Sequence, residues 1–290
     1  MPETKKITLA KYAGFCYGVK RAVETVKKLK TENPDKNVYV LGELIHNSQV
    51  IDELKNFGIE TIENLPQKGE GYCVVRTHGQ TPEVFKKIEE AGFETYDLTC
   101  PDVKKVQQKA IELVQKGYYL VIVGKEEHPE VAAIKANAMQ YGEKIIVSTL
   151  ISDLEQHEKE LKETQKVGVV VQTTQMLSTL NPIVEYLTSI SKEIRVINTI
   201  CPSTSKRQEE AAQMAQNNDL MVVVGSKNSA NTTHLADICK EFTTTIHIES
   251  EKELNNYNEL ILKAKNIGIT AGASTPQNVI EKVVKELEGI

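Results

Sequence analysis

The sequence lacks several features that would have set its class at once. Its first residues, MPETKKITLAKYAGFC, contain no continuous apolar stretch, so no secretory signal is expected. No run spans a bilayer: YYLVIV at 118–123 falls far short of the ~20 apolar residues required. A cytoplasmic protein with no membrane partner is expected. Positive charge is not in excess; the formal net charge is −5, which argues against a general nucleic-acid binder. A GxxxxGK[ST] loop is absent, so a nucleoside triphosphate is not the expected ligand. There is no CxxC pair of the kind structural zinc sites use. The five cysteines are odd in number and widely spaced, which makes a poor disulfide framework for a reducing compartment.

What is present is 290 residues with 40% hydrophobic and 26% charged content, an ordinary globular balance with ample core material. Length alone suggests about two domains, or more if the units are small. Short β-branched runs (VYVLG, YCVVRT, YLVIVG, VGVVVQ, LMVVVG, IGITAG) alternate with amphipathic segments. Near-continuous apolar strands of this kind predict βα units with a parallel sheet covered on both faces.

An internal repeat organises these units. Three times a strand runs into a cysteine and a helix follows at once: YAGFC-YGVKRAVETV, YDLTC-PDVKKVQQKA and VINTIC-PSTSKRQEEA. The next strand ends in glycine with a polar residue four positions on, pairing Gly42 with His46, Gly124 with His128 and Gly225 with Ser229. A third strand ends at His78, Thr173 or Ser274. Cys100 to Gly124 and Cys201 to Gly225 are each 24 residues, and Thr173 and Ser274 each follow their glycine by 49. The predicted architecture is therefore three small parallel-sheet α/β domains over 17–100, 101–198 and 199–290, with a strand in 1–16 leading to Cys16. Ligands of open parallel sheets bind beyond the carboxyl ends of the strands, where every one of these polar residues falls. A pseudo-threefold, trefoil-like arrangement would bring them around one central site.

Cys73, inside a strand, and Cys239, on the apolar side of a helix, read as core residues. Cys16, Cys100 and Cys201 occupy equivalent strand-to-helix junctions, where a helix N-terminus favours the thiolate that binds metal. Three thiolates fit catalytic zinc or an iron–sulfur cluster with one open iron; the cluster is preferred, though spacing does not decide between them. Of the histidines, His157 reads as solvated, His234 as a packing residue, and His247 has no evident partner. His46, His78, His128, Ser229 and Ser274 stand before predicted helices and, with the amide of Asn231, form candidate contacts for a diphosphate. Glu130, in HPE at 128–130, reads equally well as a first-turn acid or as a proton donor.

These strings together resemble the IspH or LytB family of 4-hydroxy-3-methylbut-2-enyl diphosphate reductases. GFCYGVKRAV at 14–23, LGELIHN at 41–47, RTHG at 76–79, DLTCP at 97–101, HPE, QTT at 172–174, TIC at 199–201, RQ at 207–208, GSKNSAN at 225–231 and TAGAS at 270–274 carry the likeness end to end. The resemblance implies a [4Fe–4S] cluster on Cys16, Cys100 and Cys201 with one open iron. It implies diphosphate contacts from His46, His78, His128, Ser229, Asn231 and Ser274, a substrate-hydroxyl contact from Thr173, and a proton source in Glu130. The implied reaction is a two-electron reductive dehydroxylation giving isopentenyl and dimethylallyl diphosphate, the last step of the non-mevalonate route, with ferredoxin or flavodoxin as donor. Ala230 stands where the family usually has serine, so weaker diphosphate binding is expected. The alternatives are a three-cysteine cluster lyase of the quinolinate synthase type and a non-catalytic iron–sulfur sensor.

Overall fold

The structure, a computed structural model, describes residues 5–290. Its strands are β1 Lys6–Leu9, β2 Val38–Leu41, β3 Ile59–Ile62, β4 Tyr72–Val75, β5 Glu94–Asp97, β6 Tyr119–Val123, β7 Ile145–Ser148, β8 Lys166–Val171, β9 Glu193–Val196, β10 Leu220–Val224, β11 Thr244–Ile248 and β12 Asn266–Ala271. They form three four-stranded sheets, ordered β3-β2-β4-β5, β7-β6-β8-β9 and β1-β12-β10-β11. Every pairing is parallel. The class is α/β, as the alternation of strand and helix patterns predicts.

The first sheet lies within 17–100 and the second within 101–198. The N-terminal strand departs from expectation. Instead of leading the first domain, β1 completes the third sheet, with Lys6 opposite Asn266 and Leu9 opposite Ile269. The rest of that expected strand up to residue 4 lies outside the described residues. Each sheet thus ends on the strand that runs into a cysteine: β5 before Cys100, β9 before Cys201 and β1 before Cys16. The reason is unmet pairing. β12 would otherwise be an edge strand whose side chains are almost wholly buried, and β1 supplies the partner its open hydrogen-bonding edge requires.

Sequence alternation sorts side chains to the two faces of each sheet. In the second, Val121, Val123, Val167, Val169 and Val171 pack with Leu180, Ile183 and Leu187, while Leu120, Ile122 and Val170 pack with Val106, Leu113 and Ile134. In the third, Val222, Val224, Ile267 and Ile269 meet Val279, Ile280 and Val283, whereas Met221 and Val223 meet Ala211, Leu235 and Cys239. Burial on both faces is why these central strands read as unbroken apolar runs.

The chain divides into two compact units. One holds the described residues through Glu24 with Ile45–Asn56 and Pro202–Ile290, and so contains the third sheet. The other holds Thr25–Leu44 and Phe57–Cys201, with the first and second sheets. No helix among the described residues is long and apolar enough to cross a membrane.

Candidate active site

The three junction cysteines share one backbone device. The N–H of Cys16 donates to the carbonyl of Ala273 at 3.1 Å, that of Cys100 to Thr77 at 2.9 Å, and that of Cys201 to Thr173 at 3.0 Å. Each acceptor lies just past the third strand of its repeat, so the repeat seen in sequence is also a repeat in hydrogen bonding. Cys100 is the N-cap of the helix Pro101–Gln115, and Cys16 Sγ accepts the N–H of Val19 at 3.5 Å in the first turn of the helix Tyr17–Glu32. All three are half-buried and in no disulfide. Cys73 and Cys239 are fully buried instead, and desolvation pushes their thiols up to about 11 and about 12. A thiol held protonated by an apolar core is a poor metal ligand.

Local polar ties hold the cysteine loops. Asp97 accepts from the backbone of Thr99 at 2.9 Å and from its hydroxyl at 2.5 Å, and pairs with Lys104 at 2.6 Å. Burial opposes its charge, but the hydrogen bonds from Lys104 and Thr99 outweigh it and hold the carboxyl below its usual range. Thr199 plays the corresponding part before Cys201, donating to the carbonyl of Val171 at 2.5 Å and accepting the N–H of Val171 at 2.7 Å.

In the unit around the first two sheets, the edge of one imidazole meets the face of the other. The His78 and His128 rings stand 5.5 Å apart at 86°. His128 is the N-cap of the helix Pro129–Met139, and the backbone N–H of Glu130 donates to its Nδ1 at 3.2 Å. Nδ1 is therefore an acceptor, and the proton of the neutral ring sits on Nε2. The same helix start turns Glu130 inward, where it is 1% exposed. Its Oε1 accepts the N–H of Thr173 at 2.6 Å, and its Oε2 accepts the Thr173 hydroxyl at 2.7 Å. Burial raises this carboxyl to about 7, the two hydrogen bonds from Thr173 pulling down and the charge of Asp102 pushing up. Gln172, fully buried, fixes the approach by accepting the N–H of Lys125 and donating to the Thr174 hydroxyl.

In the other unit, the Ser274 hydroxyl donates to the carbonyl of His46 at 3.2 Å. Ser229 caps the helix Ala230–Lys240, accepting the N–H of Thr232. Asn231 is 5% exposed, and neither its amide nitrogen nor its amide oxygen has a hydrogen-bond partner. Leaving a buried polar group unpaired costs roughly 1–3 kcal/mol, so such a side chain points to a ligand. The helix start sits tightly on the strand ends: a Cβ at Gly272 would lie 2.0 Å from Thr232 Oγ1. His247, without an evident partner in sequence, places Nε2 2.9 Å from the carbonyl of Gly225.

Sequence reasoning gave no role to Arg207 or Glu210. Arg207 is buried and donates to the carbonyls of Tyr12 at 2.9 Å, Gly14 at 2.8 Å and Ser203 at 3.2 Å. Glu210 accepts the N–H groups of Lys11 and Tyr12 at 2.8 and 2.9 Å. Together they clamp the loop that delivers Cys16. Their spacing of three on one helix face was the available signal.

A model of the family described as LytB protein matches residues 7–288. The chain belongs to the LytB family. A 4-hydroxy-3-methylbut-2-enyl diphosphate reductase of Campylobacter hominis is 41% identical over 285 residues, covering 97% of this chain and 98% of its own. One from Aquifex aeolicus is 38% identical over 290 residues, covering 98% and 96%. A solved (E)-4-hydroxy-3-methyl-but-2-enyl diphosphate reductase, described as the terminal enzyme of the non-mevalonate pathway, is 38% identical with a TM-score of 0.73, covering 99% of this chain and 100% of its own. The corresponding reductase of Plasmodium falciparum is 26% identical with a TM-score of 0.89, covering 97% and 87%. LytB proteins are iron–sulfur oxidoreductases.

Proposed function

We propose that this LytB protein carries out the reaction its relatives are named for, the reduction of 4-hydroxy-3-methylbut-2-enyl diphosphate to isopentenyl and dimethylallyl diphosphate. In balance, the allylic alcohol takes up two electrons and two protons, the C–O bond breaks, a C–H bond forms and water leaves.

Cys16, Cys100 and Cys201 would hold a [4Fe–4S] cluster. The fit rests on three half-buried cysteines, in no disulfide and anchored alike at strand-to-helix junctions, while the two remaining cysteines are sealed in cores. Three ligands on four irons leave one iron open. When bound, such a cluster supplies electrons and a Lewis-acidic iron to the leaving oxygen. Everything else falls to side chains of this chain.

His46, His78, His128, Ser229, Asn231 and Ser274 bind the diphosphate. His128 serves as a donor through Nε2, and the unpaired amide of Asn231 gains its missing partners. The non-reacting diphosphate thereby fixes the position of the alcohol end. Thr173 orients the substrate hydroxyl, and Glu130 delivers the proton. The observation that carries this reading is the Glu130–Thr173 pair: a buried carboxylic acid near neutrality, hydrogen-bonded to a hydroxyl. A sensor has no use for such a group, and a carboxylate-condensing lyase has no use for the diphosphate contacts. Cysteines in no disulfide suit a reducing, cytoplasmic setting, and ferredoxin or flavodoxin is the electron donor.

The test supplies reduced methyl viologen and the hydroxylated C5 diphosphate to anaerobic, iron-replete protein. Substrate-dependent viologen oxidation with formation of both C5 diphosphates is expected; an unchanged viologen absorbance overturns the reading.

A further inference from the structure

A reductase of this kind must receive its electrons one or two at a time from outside. One face of the chain carries features that neither the fold nor diphosphate binding explains. A cleft of about 380 Å³ opens beside Cys16, between the loop at 11–17 and the start of the helix Pro202–Ala215. Its charged lining is Lys11, Lys206 and Arg207, with no acidic residue. Lys11 Nζ stands 5.6 Å and Lys206 Nζ 5.9 Å from the centre of the Tyr12 ring, so two exposed ammonium groups share one small area. The nearby carboxylate of Glu210 is occupied by the backbone N–H groups of Lys11 and Tyr12.

Aromatic exposure accompanies the charge. Tyr12 is 37% and Tyr17 50% exposed, and both line the cleft. Tyrosine is enriched at protein interfaces relative to the rest of the surface. The patch also runs against the charge of the whole chain, which is −5. An acidic partner is repelled by such a protein at long range unless a local basic area receives it. The Arg207 and Glu210 clamp keeps the loop rigid, so the surface is already formed before any partner arrives. Cys16 links the two sides of the problem. It lines the cleft, and its backbone N–H bonds to Ala273, the neighbour of Ser274 in the candidate diphosphate site.

We infer that the surface formed by Lys11, Tyr12, Tyr17 and Lys206 around Cys16 is the docking face for a small acidic one-electron carrier. The inference rests on the proposed reductase function. At each encounter the carrier's iron–sulfur or flavin centre is oxidised by one electron and the enzyme is reduced by one; two encounters supply the pair that C–O cleavage consumes. The cleft is too small for a carrier's cofactor and takes an acidic loop tip, which aligns the carrier's centre with Cys16.

The test compares wild type with the Lys11→Glu/Lys206→Glu double variant, both cluster-loaded, using a reduced plant-type [2Fe–2S] ferredoxin as carrier. Ferredoxin binding should weaken and ferredoxin-supported kcat/KM should fall, each by about tenfold or more, with the gap closing as salt rises. The rate with reduced methyl viologen, which needs no docking face, should stay within twofold. Ferredoxin binding and kcat/KM unchanged in the double variant overturn the inference, as does a parallel fall in the viologen rate. Wild type that binds ferredoxin through these lysines yet turns over with neither reductant refutes the reductase function and leaves the docking face standing.

Discussion

Replacing Glu130 by glutamine separates the chemical role of this carboxyl from its structural one. Glutamine keeps the shape and both contacts: its carbonyl accepts the Thr173 N–H, and its amide donates to the Thr173 hydroxyl. What disappears is the titrating proton. In the wild type the folded-state value is about 7 against an ordinary value of 4.5 for an exposed glutamate, because the buried site disfavours the charge. That difference corresponds to about 3 kcal/mol at 1.36 kcal/mol per unit. Since the folded value is the higher one, the folded state binds the proton more tightly. The associated stability is fully present below pH 4.5 and is lost as the pH rises through about 7. The neutral amide carries no such dependence. Melting curves of both proteins from pH 4.5 to 8 should therefore show the variant gaining on the wild type by roughly 6 °C across that window. Turnover with reduced viologen should fall roughly 10²–10⁴-fold in the variant while iron content and substrate affinity hold. The wild-type kcat should decline above pH about 7 as Glu130 loses its proton. Parallel melting profiles would refute the buried-acid argument, and a variant kcat within threefold of wild type would refute the proton-donor role.

Cys201→Ser should lose most bound iron on reconstitution, whereas Cys239→Ser should retain it and lose about 1–3 kcal/mol of stability for burying a hydroxyl in the core, as iron assays and denaturant melts will show. Asn231→Ala should leave the melting temperature unchanged or slightly raised, because the amide has no partner to lose, yet raise KM for the diphosphate about tenfold or more. Gly272→Ala drives a Cβ to 2.0 Å from Thr232 Oγ1 and should cost about 1–3 kcal/mol together with a higher KM; adding Thr232→Ala should restore part of both, measured by thermal melts and initial rates.

Much of this protein was legible along the chain because the controlling physics is local. Double-faced burial imposes near-continuous apolar runs on β6, β8 and β10, and those runs are visible without coordinates. A cysteine between strand and helix, repeated at Cys16, Cys100 and Cys201, is likewise a pattern of neighbours. The partners that give residues their properties are distant in sequence. Glu130 read equally as a first-turn acid or a proton donor until Thr173, 43 residues away, was found holding both its oxygens in a buried site. The acidity of a carboxyl depends on desolvation and on who bonds to it, and neither is written in the local sequence. Arg207 reaches back 195 and 193 residues to Tyr12 and Gly14, so its clamp on the Cys16 loop was invisible in the motif that contains it. The same holds for β1, which reads as a leader for the first repeat and pairs with β12 at the far end of the chain. Sequence by itself determined the elements, their faces and the repeated cysteine. Chain closure decided which groups meet, because an open strand edge, a buried charge or an unpaired carbonyl is satisfied by the nearest partner in space.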